Sequence, residues 1–422
     1  MEARKSEFGS TEDILSWVDE ANRSTAVEIR KTTLSSGSFW HYDRFSGRIE
    51  NARKSFFSIT GIRRGGIEHP VMIQDEIGFL GLICREFGGT AHFLVQAKIE
   101  PGNVNHVQIS PTIQATKSNF TRAHGGKAPA YLDYFTETGR HTVVADQLQS
   151  EQSSRFLRKR NRNIIIEAAE DVTVLPTHMW ATLGQLKELM KRDNLVNMDL
   201  RTVISCLPRF GPGTGGTGEI PEIYGYINDY KMFGYTPPSA VPLHMLDGWR
   251  MEDSGIYPEK PYPFQVIYCD ISIEGREVTR WSQPLFESRG KALFGLFICR
   301  SEGETLFLVR AKAEIGCFDG MELGPTVQRE ATEQDAPDGI EALFVKMRRE
   351  GRGVLHDVVL SEEGGRFYRE QNMNVIIETD KSLTEPVPPG YFWVGRGTLH
   401  ELVRINNCLN IQLRNLLALL ED

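Results

Sequence analysis

The sequence predicts an α+β protein built as a tandem duplication, each copy a curved mixed sheet followed by helices. Three observations lead there. First, Phe93-Leu-Val-Gln-Ala-Lys98 returns as Phe307-Leu-Val-Arg-Ala-Lys312, and Pro111-Thr-Ile-Gln114 returns at the same spacing as Pro325-Thr-Val-Gln328. Second, the matches continue through Gly81–Arg85 with Gly295–Arg300, Ser150–Phe156 with Ser361–Phe367 and Asn163–Glu167 with Asn374–Glu378. The tails also agree at Trp180 and Trp393, Asn197 and Asn410, and Arg201 and Arg414. Third, short β-branched runs broken by Gly or Pro give way in each copy to helical spacing. Order and spacing hold over most of each half, which makes chance a poor explanation.

The elements follow in order. Thr11 to Ala21 is an amphipathic helix candidate. FFSITGI, FLGLICR, HFLVQAKIE and NHVQISPTIQAT read as strands, with Ile99–Gly102 as a turn between two of them. NIIIEA is a further short strand. Thr177 is placed to cap a helix in which Trp180, Leu183, Leu186, Leu189 and Met190 recur at helical spacing, and a second helix runs from Met198 to Leu207. Leu207–Gly218 is rich in Gly and Pro and reads as a linker; Ile220 to Met251 has no clear period and reads as a connection packed across the second copy. The resulting division is an N-terminal helical extension over 1–35, a first module over 36–207, a linker and connection over 208–250, and a second module over 251–422.

At about 150 residues per domain, the 422 residues fit two to three domains. A net charge of −8 argues against a basic face for DNA or RNA, while leaving room for one small anionic ligand. No stretch approaches the roughly 18 to 20 apolar residues that span a bilayer. The charged start lacks an apolar signal core, so a cytoplasmic protein is expected. The six cysteines stand far apart without a CxxC, which suits a reducing compartment and gives no structural zinc. No GxGxxG follows a strand, no P-loop or nucleophile elbow occurs, and the histidines are scattered. Neither a metal nor a cofactor is expected.

Several polar patterns stand out. Alternation puts Gln96 and Lys98 on the face of Leu94 and turns Phe93, Val95 and Ala97 inward; Thr112 and Gln114 share a face on their own strand. Arg310, Lys312, Thr326 and Gln328 repeat the set. Such a face suits a polyhydroxylated ligand, and it equally suits a solvated sheet surface. Arg155, Arg158, Lys159, Arg160 and Arg162 form a basic run that fits either a solvated helix face or a diphosphate clamp. The second copy keeps Arg366 and Arg369 but has Glu370 and Gln371 in place of Lys159 and Arg160. The halves have diverged in charge, as a catalytic half and a vestigial or structural half would. Ser118-Asn-Phe-Thr-Arg122, followed by His124-Gly-Gly126, is a polar loop suited to stacking a base and binding phosphate, or is an ordinary surface loop. Arg276 and Arg280 precede Trp281, another stacking and phosphate pattern.

Trp40-His-Tyr-Asp43, Phe56–Gly61, Gln108–Arg122, Ser150–Asn163, Arg276–Trp281 and Leu360–Tyr368 together resemble the NDP-hexose 2,3-dehydratase family. The resemblance covers nearly the whole chain after about residue 35 and includes the duplication. Ser153-Ser-Arg155 departs from it, since the family tends to have a Gly and an aromatic there. The resemblance implies a cytoplasmic homodimer of Nudix-like modules without hydrolase chemistry, acting on dTDP-4-keto-6-deoxyglucose in deoxysugar biosynthesis. It implies nucleotide-sugar contacts from Trp40, from Ser118, Asn119, Phe120, Thr121 and Arg122, and from Arg276 and Arg280. In the second module they come from Gln328 and from Gly364, Gly365 and Arg366 through Asn372.

The implied reaction is a carbon–oxygen lyase step. The C4 ketone acidifies the C3 hydrogen, a base removes it, the C2 hydroxyl leaves as water, and the enol becomes a 3,4-diketo-2,6-dideoxy sugar. Glu362 and Tyr368 are the expected acid/base pair, with Lys312 or Arg366 as an oxyanion donor. An NADPH-dependent 3-ketoreductase is the expected functional partner. The alternatives are another activity on a dTDP-4-keto sugar, such as 3,4-ketoisomerisation, and a non-catalytic nucleotide-sugar binding protein.

Overall fold

Two mixed sheets of the same topology organise the chain. The computed structural model describes residues 9–120, 128–207, 218–274, 278–301, 303–333, 337 and 339–420, with the side chains of 118 and 119 outside the described set. In the first sheet the strands run in the order Thr142–Ser150, Arg160–Glu167, Gly78–Phe87, Thr90–Ile99, His178–Thr182. Val107–Ser110 adds to Thr90–Ile99, and Ile113–Ala115 adds to Gly78–Phe87. In the second sheet the counterparts are Val354–Ser361, Gln371–Glu378, Leu293–Ser301, Glu304–Lys312 and Tyr391–Gly395, with Glu322–Gly324 and Val327–Arg329 as the short additions. In each sheet one pair is parallel, Arg160–Glu167 on Gly78–Phe87 and Gln371–Glu378 on Leu293–Ser301. Each has a register shift at the matching place, between Val143 and Ala145 and between Val354 and His356. Such bulges bend a strand and sharpen its twist.

The copies are interlocked. Two smaller sheets stand beside the large ones, and each takes a strand from the other half: Val27–Thr32 pairs antiparallel with Phe264–Ile273, and Ser239–Val241 pairs with Ser58–Arg64. The stretch 220–251, expected to be an aperiodic connection, holds the helix Ile220–Asp229 and that donated strand. Thr11–Arg23 is the corresponding helix of the first half, closed by a capping box between Ser10 and Asp13.

One apolar core crosses both copies. Leu82, Phe93 and Val95 of the first sheet and Leu296, Phe307 and Val309 of the second are packed with Leu186, Val203, Leu402 and Leu416. The opposite face of each sheet is also covered. Leu94, Ile164 and Trp180 lie under Phe135 in the first copy; Leu308, Val375 and Trp393 lie under Phe344 in the second. The expected alternation of Phe93–Lys98 therefore holds, but Leu94 is core rather than a neighbour on a polar face, because the Leu132–Thr136 segment roofs that side.

The helical tail begins later than expected. Trp180 sits in the strand His178–Thr182, so Thr177 caps nothing helical; Thr182 caps Leu183–Met190 through a reciprocal bond with Gln185. The next helix, Met198–Ser205, is capped by Asn197, and its counterpart Ile411–Leu419 by Asn410. The basic run from Arg155 is likewise no helix face: Arg160 opens a strand, and Arg155 and Lys159 are 3% and 5% exposed.

Candidate functional site

The turns that join the copies also bring their polar groups together. The turn after Ile99 docks into the other half, where the Gly102 N–H donates to the Gly364 carbonyl at 2.7 Å and the Arg369 N–H to the Gly102 carbonyl at 2.7 Å. The same pair of bonds recurs at Gly316, with Ser153 at 2.9 Å and Arg158 at 2.8 Å. A Cβ at Gly102 would collide with the Phe367 carbonyl oxygen, and one at Gly316 with that of Phe156. Only glycine allows this approach.

Each junction forms a polar cell. In the first, Glu100 accepts from Gln114 Nε2 at 2.9 Å and from the Gly364 N–H at 3.1 Å, and lies 3.3 Å from Lys98 Nζ. Asn197 Nδ2 holds Gln114 at 3.1 Å, so the helix cap also fixes the cell. Glu363 folds over Gly365, where an added Cβ would strike its Oε1 and stand 3.6 Å from Glu100 Oε1. Arg366 donates to Gln74 at 3.3 Å and to the Gly365 carbonyl at 2.9 Å, and its guanidinium lies 4.4 Å from the Phe57 ring centroid. No carboxylate closes an ion pair with Arg366 among the described residues.

Burial tunes this cell. It pushes Glu363 up to about 8, with nearby Glu100 adding to the effect. It raises Glu151 to about 7 against the pull of Lys159, and lowers Lys159 to about 8. Asp199 is raised well above the ordinary carboxylate range by burial and then by Glu151. Glu363 and Glu151 thus exchange protons close to neutrality, as acid/base chemistry requires.

The second cell repeats the scaffold with a different outcome. Gln328 bridges Glu314 at 3.1 Å and Asn410 at 2.8 Å. Arg155, the counterpart of Arg366, is clamped by Glu330 at 3.4 Å and Glu370 at 3.6 Å over the Phe264 ring. Gln152 stands where the first cell has Glu363, and donates to Glu362. The repeated threonines are pegs in both copies. Thr112 and Thr326 accept from the Ile83 and Phe297 N–H at 2.9 and 2.8 Å and donate to the Leu94 and Leu308 carbonyls.

The residues expected from the sequence are distributed as follows. Trp40 packs on Phe57 and donates to the Ser282 carbonyl at 2.7 Å, in a shallow cleft shared with Thr33, Leu34 and Gln283. Gln283 donates to the Gly365 carbonyl at 2.8 Å, so the cleft adjoins the first cell. Arg280, exposed, lies on the same strand as Ser282. The structure thus brings Trp40, the Arg280 strand, Gly364, Gly365 and Arg366 together. Lys312 and Gln328 belong to the second cell. Glu362 is 5% exposed, with its oxygens taken by Gln152 and by Asn372 at 2.8 Å. Asn372 also accepts from the Ala292 N–H at 3.0 Å. Tyr368 packs apart from Glu362, in a cluster with Ile267, Ile271 and Leu285, near Lys31. Phe120 stacks edge-on to Phe79. Thr121, Arg122 and Arg276 lie outside the described residues, as do the side chains of Ser118 and Asn119. Sequence reasoning passed over Glu363, Glu100 and Asp199. The signal for two of them was there in the repeat, since Glu363 aligns with Gln152 and Asp199 with Gln412.

Comparison with known proteins agrees with this duplicated plan. The family model described as NDP-hexose 2,3-dehydratase matches residues 11–207 and again 221–420. A dTDP-4-dehydro-6-deoxy-alpha-D-glucopyranose 2,3-dehydratase of Saccharopolyspora spinosa is 36% identical over 438 residues, covering 96% of this chain and 90% of that protein. Proteins of the same name from Streptomyces violaceoruber and Amycolatopsis orientalis are 37% and 33% identical, covering 95% and 97% of this chain and 95% and 89% of their own lengths. The resemblance seen in the sequence motifs therefore holds over both copies, and the chain belongs to the NDP-hexose 2,3-dehydratase family.

Proposed function

We propose that this protein removes water across C2–C3 of dTDP-4-keto-6-deoxyglucose, giving a 3,4-diketo-2,6-dideoxy sugar nucleotide for deoxysugar biosynthesis, and that it works in the first cell. The observation that carries the choice of cell is the contrast between the two repeated arginines. Arg366 is partly exposed, stacked on Phe57 beside Trp40, and free of a carboxylate partner among the described residues. Arg155 is buried and consumed by Glu330 and Glu370. Of the two repeated arginines, only Arg366 offers a phosphate or a developing enolate a donor that no carboxylate has taken.

In this reading Trp40 and Arg280, together with Ser118 to Arg122, receive the nucleotide diphosphate. The sugar then reaches the Glu100, Glu363 and Lys159 groups. The step is a carbon–oxygen lyase reaction in which the C4 ketone makes C3 acidic, the elimination is redox-neutral, and the diketone product needs a 3-ketoreductase using NADPH to consume it. We further read the modules as Nudix-like, the assembly as a homodimer and the compartment as cytoplasmic.

The test is incubation with dTDP-4-keto-6-deoxyglucose together with a 3-ketoreductase and NADPH, followed by mass analysis. A trapped product derived by loss of one water is expected. An unchanged mass with a moved ketone would make the protein an isomerase, and tight binding without turnover would make it a binding protein.

A further inference from the structure

We propose that Glu363 is the proton-transfer residue of the dehydration, taking the hydrogen from C3 of the sugar and returning a proton to the departing C2 hydroxyl. The inference rests on the first cell being the working site, and deepens that reading.

Its ground is a comparison the molecule makes within itself. The turns after Ser150 and Ser361 share one backbone, closed by the Glu151 N–H to the Lys159 carbonyl at 3.0 Å and by the Glu362 N–H to the Glu370 carbonyl at 3.0 Å. On that common frame the first cell carries ionisable Glu363 and Asp199 where the second carries the amides of Gln152 and Gln412. An amide exchanges no proton with a carbon acid, so the second frame lacks an ionisable group at this position, and its Glu330 and Glu370 are tied to Arg155.

Asp199 is 2% exposed and closed off from the cleft, its Oδ2 without a partner, and the other carboxylates around the first cell are already committed. Glu100 accepts from Gln114 and Gly364, Glu151 from Asn161 at 2.7 Å, and Glu362 from Gln152 and Asn372. The carboxylate of Glu363 receives no hydrogen bond among the described residues, and the residue is partly exposed. It lies over Gly365, which precedes Arg366 in sequence and whose carbonyl is held by Gln283 of the cleft. Lys159 and Arg366 supply positive charge around it.

The step balances on this one group. The Glu363 carboxylate takes the C3 hydrogen as a proton, and the C–H electron pair forms the C3–C4 double bond while the C4 carbonyl becomes an enolate. The enolate then reforms the carbonyl, the C2–C3 double bond forms and the C2–O bond breaks. Glu363 gives its proton to that oxygen, which leaves as water. In a D-gluco ring the C3 hydrogen and the C2 hydroxyl point to the same face, so one carboxyl reaches both, and it ends as it began.

The test is Glu363→Gln, which gives the first cell the amide of the second. Loss of a general acid/base group predicts a kcat lower by about 10²- to 10⁴-fold, with dTDP affinity by calorimetry kept within about threefold. Deuterium from heavy water, entering C3 of unreacted substrate with the native protein, should no longer do so. Turnover within about tenfold of native, or continued C3 exchange, would overturn the proposal. Should Glu363→Gln fail to fold, Glu363→Asp carries the same test: slowed exchange with retained dTDP binding supports the role, and exchange at the native rate overturns it. A native protein that releases no water at all would instead overturn the reaction assigned above.

Discussion

Arg201 donates its Nη2 to the Ser361 carbonyl oxygen at 2.8 Å, and its Nη1 to the Val196 carbonyl at 2.7 Å, from a position 1% exposed. Arg414 repeats the arrangement in reverse, reaching Ser150 of the first copy and Leu409 of its own. Each copy therefore pins, with a buried guanidinium, the start of the turn that forms the other copy's cell. The fork is required, since both bonds are directional and a lysine supplies a single point charge.

Arg201→Lys and Arg201→Met should each lower the unfolding free energy by about 3 kcal/mol, because two charge-assisted bonds are lost and buried carbonyls are left unsatisfied. Urea titration checks this. A loss below about 1 kcal/mol would mean the turn after Ser361 is held by other contacts.

Gly102→Ala should uncouple the same junction by collision instead of by lost charge. The added methyl meets the Phe367 carbonyl oxygen, so the turn at Gly364 and the Glu100 contact must shift together. The expected result is a lower melting temperature and a loss of turnover at least as large as the loss of stability suggests, because Glu100 and Glu363 separate. Alanine at Gly65, an exposed turn with nothing around it, reports the cost of positive φ alone.

The duplication and the strands were legible because repeated words and period-two alternation survive in a single sequence. The strands around Phe93–Lys98 and NIIIEA stand where expected. The interlocking was not legible: Val27–Thr32 and Ser239–Val241 are ordinary short β segments, and nothing in their composition says that each completes a sheet in the other half. The site was half legible for the same reason. Trp40, Arg366 and Gly364 lie in local motifs, whereas Glu100 acquires its meaning only when Gly364 arrives from the other copy. Thr112 misled as a surface residue because a peg that bonds two strands has the same period as an exposed position.

Glu322→Gln should make stability less dependent on pH. Glu322 is 1% exposed, accepts from Ser150 Oγ at 2.6 Å, and is pushed by burial up to about 7. A carboxyl whose folded pKa is raised binds more protons folded than unfolded, so its contribution is full below the unfolded value near 4.5 and is lost as pH rises through about 7. Its counterpart Gln108 holds the corresponding serine without a charge and with the bond reversed, donating Nε2 to Ser361 Oγ at 2.7 Å. The variant should therefore gain on the native protein by up to about 3 kcal/mol between pH 5 and pH 8. Denaturation at both pH values checks it, and a constant difference would show that Glu322 does not titrate in that range.

Arg366→Ala and Arg155→Ala should separate binding from folding. Arg366 is partly exposed and touches Gln74, Gly365 and Phe57, so its loss leaves no buried charge; it should weaken binding of the nucleotide sugar by about 10- to 100-fold, the worth of a charge-assisted contact, with little change in melting. Removing Arg155 strands Glu330 and Glu370 beside each other, with Glu370 7% exposed and already pushed by burial up to about 8. That variant should lose about 3–5 kcal/mol of stability. Its KM should change less than that of Arg366→Ala in whatever fraction remains folded. The opposite pattern, with Arg155→Ala raising KM and Arg366→Ala costing stability, would move the working site to the second cell.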